Sequence, residues 1–259
     1  MNIGEWIRCA PVEWLDAEAI AAHSLGVTRS QVLAHPEWDA PELALEMLLQ
    51  KRLTGMPLAY VTGRKEFYGR DFVVNPSVLI PRPETEVLVE AVLPLLAPGM
   101  LCVDIGTGSG VIAITLALES PETCWIATDV SGAALRIAAQ NAHALASPIK
   151  FIRADRLEAL AARSVDLIVS NPPYVTPGDV RLQAEVERFE PHIALFAKNG
   201  TSFIRELVHD ARRVLRPHGI VAFEFGAGQS GEVREILCDL HHKVVPDLAG
   251  VDRVAIARL

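Results

Sequence analysis

A chain of 259 residues, half of them hydrophobic and 22% charged, holds enough apolar material for one sizeable α/β domain and a small appendage. Its formal net charge of -8 comes with no Lys/Arg-rich stretch, which argues against a surface built to follow a phosphate backbone. Cys9, Cys102, Cys124 and Cys238 lie far apart with no C-x-x-C pair, so neither a zinc site nor a disulfide framework is expected, and a reducing, cytoplasmic setting fits. The histidines show no metal spacing, the N-terminus carries Glu5, Arg8, Glu13 and Asp16 unlike a signal peptide, and no apolar run nears membrane-spanning length.

Residues 1–62 read as a small helical domain. A capping Asp16 opens one helix of apolar positions at helical spacing, and Glu42 to Leu53 forms a second, stopped by Gly55 and Pro57. Residues 63–80 change character. Aromatic and β-branched residues flank Tyr68-Gly69-Arg70, which predicts a β-hairpin. Residues 81–259 then open with Pro81-Arg82-Pro83-Glu84, a helix start running to about Leu96. After Pro98-Gly99, strands are expected near 101–105, 124–129, 149–153, 165–170, 219–225, 242–246 and 253–258. Helices are expected near 109–119, 131–144, 201–215 and 229–240. This alternation predicts an α/β fold with a doubly wound, mostly parallel sheet.

The chemistry should lie where those strands end. Gly106-Thr107-Gly108-Ser109-Gly110 follows the first of them: Gly106 permits a tight turn, Gly108 a close ligand approach, and Gly110 close packing of helix on strand. The spacing G-x-G-x-G departs from the dinucleotide fingerprint, so a pyrophosphate is not expected. Asp129 ends the next strand, where a carboxylate can accept two ribose hydroxyl bonds, and Asp155 ends the third, where it could meet an adenine amino group. As helix cap and turn residue, the two also have ordinary structural uses.

The apolar run Val165 to Ser170 leads into Asn171-Pro172-Pro173-Tyr174. Two consecutive prolines stiffen this turn and fix the directions of its carbonyls. Asn171 places a carboxamide at the sheet rim, and Tyr174 adds a flat ring. Such a clamp suits a planar –NH2 group. A nucleoside site without phosphates beside an amine clamp suggests S-adenosylmethionine and methyl transfer to nitrogen.

At this point the chain closely resembles the release factor glutamine methyltransferases, the protein-(glutamine-N5) methyltransferases. The resemblance rests on Asp16-Ala17-Glu18, Gly55 to Gly63, Glu66 to Gly69, Leu79 to Glu86, Asp104 to Gly110 and Ser170 to Tyr174. Glu190-Pro191 with Ala194-Leu195, Glu224-Phe225-Gly226 and Asp252-Arg253-Val254 extend it over nearly the whole chain. The family implies a helical N-terminal domain that docks the substrate, a hairpin linker and a Rossmann-like class I methyltransferase domain. It implies the Gln of the Gly-Gly-Gln loop in class-1 peptide chain release factors as substrate. Carried over by position, Gly106, Thr107, Gly108, Ser109, Gly110 and Asp129 would bind S-adenosylmethionine, with Asp155 and Arg156 near adenine. Arg156 stands where the family often has an aromatic or bulky apolar residue. Asn171, Pro172, Pro173 and Tyr174 would bind the glutamine, with Asn171 and Pro172 as its catalytic acceptors and Asn171 also near the methyl donor.

Two rival substrates share the clamp: a glutamine of a large-subunit ribosomal protein, and the exocyclic amine of a flipped adenine. The acidic balance disfavours the second. A catalytically idle adaptor is the rival of another class, and the intact Gly loop, Asp129 and Asn171 speak against it.

Overall fold

In the computed structural model, which describes residues 1–180 and 182–259, the chain divides into two compact units. The first comprises Met1–Arg64 together with Gln183–Phe189, and the second comprises Lys65–Leu182 with Glu190–Leu259.

The first unit is helical: α1 (Ile3–Cys9), α2 (Trp14–Leu25), α3 (Arg29–Ala34), α4 (Glu42–Leu53) and α5 (Leu58–Thr62). Asn2 with Glu5 and Thr28 with Gln31 form reciprocal capping boxes that start α1 and α3. Gly26 in the left-handed region ends α2. Their apolar faces meet around Ile3, Trp6, Ile20, Ala21, Leu45 and Leu49. The buried Glu18 is neutralised by Arg29 at 2.6 Å, and Arg52 pairs with Asp16 at 2.5 Å. A short helix far along the chain completes this unit. In α9 (Ala184–Phe189), Glu185 lies 3.7 Å from Arg52, and Arg188 donates to the Thr54 carbonyl at 3.1 Å.

A hairpin follows, β1 (Arg64–Phe67) and β2 (Arg70–Val73), shorter than the expected span to residue 80. Its two-residue turn, Tyr68-Gly69, has positive φ at both positions, matching the twist of the flanking strands. Residues 74–83 then run without regular structure into α6 (Glu84–Val92), which a single 3-10 turn (Leu93–Leu95) extends.

The remaining elements are β3 (Leu101–Ile105), α7 (Val111–Glu119), β4 (Cys124–Asp129), α8 (Gly132–Ala144), β5 (Lys150–Arg153) and β6 (Val165–Ser170). After α9 come α10 (His192–Leu195), α11 (Ser202–Val214), β7 (Leu215–Glu224), α12 (Ser230–Ile236), β8 (His241–Pro246) and β9 (Asp252–Arg258). The seven strands form one sheet in the order β5-β4-β3-β6-β7-β9-β8. All neighbours from β5 to β7 are parallel, while β9 runs antiparallel to both β7 and β8. This is the expected Rossmann-like architecture.

The strands are apolar on both sides because both faces are covered. Cys102, Leu167, Val169, Ile220 and Ala222 pack with α6 and α7, whereas Val103, Ile105, Ile168, Val221 and Phe223 pack with α11 and α12. Helix α7 is buried nearly all round, while α11 buries Ile204, Leu207, Val208, Ala211 and Val214 along one stripe. The chain leaves β3 toward β4 on one side and β6 lies on the other, so the carboxyl ends of β3 and β6 flank a point where strand order reverses. Open α/β sheets bind ligands there.

Candidate active site

A cavity of about 360 Å³ opens at that switch point. Gly106, Thr107, Gly108 and Ser109 line it, with Asp129, Asp155, Arg156, Asn171, Pro172 and Pro173. Two residues expected there do not line it. Gly110 faces α7 and α8, where a Cβ would sit 2.7 Å from Ile114 Cδ1 and 3.2 Å from Ala138 Cβ. Its missing side chain therefore serves helix packing against α8. Tyr174 lines a separate, smaller pocket, and its hydroxyl donates to Glu224 Oε1 at 3.0 Å.

The Gly loop is held from several sides. Gly106 and Gly108 have φ of 70° and 57°, and among the described residues a Cβ on either would meet nothing within 4 Å. The space left by these two absent side chains is room for a ligand to lie against the backbone. Thr107 N–H donates to the Thr128 carbonyl at 2.9 Å, and its hydroxyl donates to Asp104 Oδ2 at 2.7 Å. Asp104 is wholly buried, and among the described residues its Oδ1 has no hydrogen-bond partner; burial pushes its pKa up to about 7. Asn141, on α8, is a further tie that the sequence did not reveal. It accepts from Val73 N–H at 2.7 Å and donates to the Val73 carbonyl at 3.0 Å and the Ser109 carbonyl at 2.8 Å.

Asp129 closes one side of the cavity. Its Oδ2 accepts from Gly108 N–H at 3.0 Å and its Oδ1 from Ser131 N–H at 2.8 Å. Ser131, not Asp129, caps α8, by accepting from Ala134 N–H at 3.2 Å. Each carboxylate oxygen has capacity for a second bond, so the outer edge can take a diol. Burial raises the Asp129 pKa, opposed by the hydrogen bonds from Ser131 and Gly108. Asp155 is exposed, and Arg156 beside it adopts φ of 47° and pairs with Glu206, turning part of its guanidinium to solvent-side carboxylates. The wall near these two residues is thus polar.

On the opposite side β6 delivers Asn171. Ser170 is buried and donates to the Ile105 carbonyl at 2.8 Å, which locks the ends of β3 and β6 together. Asn171 Nδ2 donates to Thr85 Oγ1 at 3.0 Å. Arg82 bonds to the buried Glu190, which also accepts from Ile80 N–H at 3.1 Å, so the loop before α6 and the segment before α10 form one rim. Ile193, Ala194 and Phe196 add an apolar stretch to the lining. Thr85 and Glu190 lie in the motifs quoted above, but their contacts join residues far apart in the chain.

Residues 8–63 match the family model described as the PrmC N-terminal domain, and residues 83–204 match the methyltransferase small domain. The release factor glutamine methyltransferase of Neisseria gonorrhoeae is 40% identical over 267 residues, spanning 100% of this chain and 98% of that protein. The protein of the same name from Koribacter versatilis is 43% identical, spanning 96% and 92%. This chain belongs to the release factor glutamine methyltransferase family.

Solved structures agree on the fold. A methyltransferase from Pyrococcus furiosus superposes with a TM-score of 0.57 at 18% identity, covering 84% of this chain and 98% of that one. The precorrin-6y C5,15-methyltransferase of Geobacter metallireducens gives 0.50 at 13% identity, covering 73% and 95%. As a family member the chain is an S-adenosylmethionine-dependent methyltransferase. The donor set fits that cofactor: two open glycines and an anchored carboxylate. Among the described residues, no group of His, Cys, Asp and Glu is placed to hold a metal ion, and no helix is long and apolar enough to cross a membrane.

Proposed function

We propose that this enzyme methylates the side-chain amide nitrogen, N5, of the glutamine in the Gly-Gly-Gln motif of class-1 peptide chain release factors. Support comes chiefly from one observation: Asn171 shares a cavity with the Gly loop and Asp129, in a chain of which relatives of that name cover 96% and 100%. Residues 1–62 serve as the substrate-docking domain, 63–80 as the linker and 81–259 as the methyltransferase domain, and the enzyme works in the cytoplasm.

Gly106, Thr107, Gly108, Ser109 and Asp129 hold S-adenosylmethionine, Asp129 through the ribose hydroxyls, with Asp155 and Arg156 bordering the adenine. When bound, that cofactor supplies an electrophilic methyl group on a sulfonium. The protein's task is the other reactant. A carboxamide nitrogen is a weak nucleophile because its lone pair is delocalised into the carbonyl. Asn171 Oδ1 and the Pro172 carbonyl each accept one N–H of the substrate –NH2, which fixes the nitrogen and orients its out-of-plane electron density. These acceptors also meet the positive charge that develops on nitrogen, so positioning and preorganised electrostatics carry the rate. The surplus proton leaves to water, since a methylated amide cation is strongly acidic. Pro173 keeps the turn rigid, and Tyr174 anchors it from behind.

The test is transfer of a labelled methyl group to a purified release factor, beside a version with the motif's Gln changed to Ala. Label on the intact factor alone is the expected result. Label on a large-subunit ribosomal protein or on DNA instead would replace the proposed substrate.

A further inference from the structure

Four residues form a hydrogen-bonded chain that the reading above does not use. Glu224, the last residue of β7, is 1% exposed. It accepts the Thr85 hydroxyl on Oε2 at 2.7 Å and the Tyr174 hydroxyl on Oε1 at 3.0 Å. Thr85 Oγ1 in turn accepts from Asn171 Nδ2 at 3.0 Å. Thr85 and Asn171 line the cavity, whereas Glu224 does not.

The direction of this chain follows from counting protons. A hydroxyl has one proton, and an ionised carboxylate can only accept. With the Thr85 proton committed to Glu224, Thr85 can offer Asn171 nothing but a lone pair. The edge of Asn171 facing Thr85 must then be its –NH2, and the carbonyl is the edge left free. We propose that Glu224, acting through Thr85, is the positioning residue that fixes the Asn171 carboxamide with its oxygen, rather than its –NH2, presented to the substrate amide.

This rests on the reading of Asn171 as an acceptor for the substrate –NH2. In the flipped orientation, two –NH2 groups would face each other, donor to donor, and no bond could form. A neutral amide at position 224 could point either a donor or an acceptor at Thr85; a carboxylate allows one direction only. The carboxyl is itself held still. Tyr174 occupies its other oxygen, and the Tyr174 carbonyl accepts from Gln229 Nε2 at 2.9 Å.

Glu224 is faced by Thr85 and Glu84 of α6, Tyr174 of the clamp and Arg253 of β9; Arg82 also acts on Tyr174. Burial raises its pKa, opposed by the hydrogen bonds from Thr85 and Tyr174 and by the Arg253 charge. Once protonated, Glu224 can donate to Thr85, which frees the Thr85 proton for Asn171 and favours the flipped amide. Turnover at saturating cofactor should therefore fall as pH drops through the raised range of Glu224.

The experiment measures kcat against pH, with cofactor affinity measured separately, for Thr85→Val, Thr85→Ser, Glu224→Leu and Asn171→Ala. Thr85→Val keeps the shape and removes the relay. Its kcat should fall about tenfold or more while cofactor affinity stays within roughly twofold, and its acid limb should disappear. Thr85→Ser should stay within about threefold of the native enzyme, because it keeps the hydroxyl. Glu224→Leu should lose turnover similarly, and combining it with Thr85→Val should add little, as for two members of one network. Native kcat in Thr85→Val beside an inactive Asn171→Ala would overturn the relay and leave the acceptor reading standing. An active Asn171→Ala would remove that reading, and the relay with it.

Discussion

Asp129 combines two demands that a single carboxylate can meet only because its oxygens are used on different edges. The inner edges accept from Gly108 and Ser131, and this fixes the carboxylate against the loop. The outer edge is what the proposed ribose role needs. Asp129→Asn replaces one oxygen by –NH2, so one backbone N–H must face a donor, and the charge is lost. Cofactor affinity at pH 7.5 should drop about tenfold to a hundredfold, the range for hydrogen bonds to a charged group. Because burial raises the native pKa, native affinity should weaken as pH falls through that range, whereas affinity in the variant should stay flat. Calorimetric titration at several pH values checks both parts, and unchanged affinity in Asp129→Asn would remove the residue from this role. Asp129 and Asn171 were legible in the sequence because each sits where an apolar strand stops. Thr85, Asn141 and Glu190 gain their meaning from partners dozens of positions away, which periodicity and spacing cannot express.

At the level of elements, the long strands and helices of the second unit could be read because both faces of the sheet are covered and each strand is an apolar run of fixed length. The short helices α1, α3 and α5 could not, since they are stabilised by caps and tertiary packing more than by a sustained pattern. Helix α9 gave no signal either: its ties to Arg52 and Thr54 span more than a hundred residues. The hairpin was visible from its turn, but what it does locally was not. Asn141 joins β2, the Gly loop and α8 through three bonds from one buried amide. Asn141→Leu keeps the branched shape, though with a bulkier side chain, and strands the Val73 N–H, the Val73 carbonyl and the Ser109 carbonyl. Orphaned buried polar groups cost about 1–3 kcal/mol each, shared non-additively here, so on the order of 3 kcal/mol is expected. For a domain of this size that corresponds to a fall in Tm of roughly 6–12 °C. Cofactor affinity should weaken as well, because Ser109 loses its tether. A thermal melt within about 2 °C of native would show that these bonds are replaced by others or by water.

At the scale of the whole molecule, the second unit buries carboxyl groups whose pKa values rise on folding: Asp104 to about 7, with Asp129 and Glu224 shifted the same way. In each case burial is the largest cause, and a carboxylate deprived of water holds its proton more tightly. The folded state then binds more protons than the unfolded chain at intermediate pH. For Asp104 this contribution is fully present below its unfolded value of 3.8 and is lost as pH rises through about 7. The direction is opposite to that of a salt-bridged carboxylate. His23 in the first unit opposes it, since its lowered pKa favours the folded state as pH rises. The slope for the entire chain is therefore a sum, and a difference between two proteins isolates one member. Asp104→Asn cannot ionise, and its altered bonding to Thr107 is the same at every pH. Measured without cofactor, so that ligand linkage does not intervene, the Tm of Asp104→Asn relative to native should rise between pH 5 and pH 8. A shift near three pK units allows on the order of 3 kcal/mol across that interval, or roughly 6–12 °C. A gap that stays constant with pH would mean that Asp104 is already ionised throughout and that its unpaired Oδ1 is met by a donor in solution.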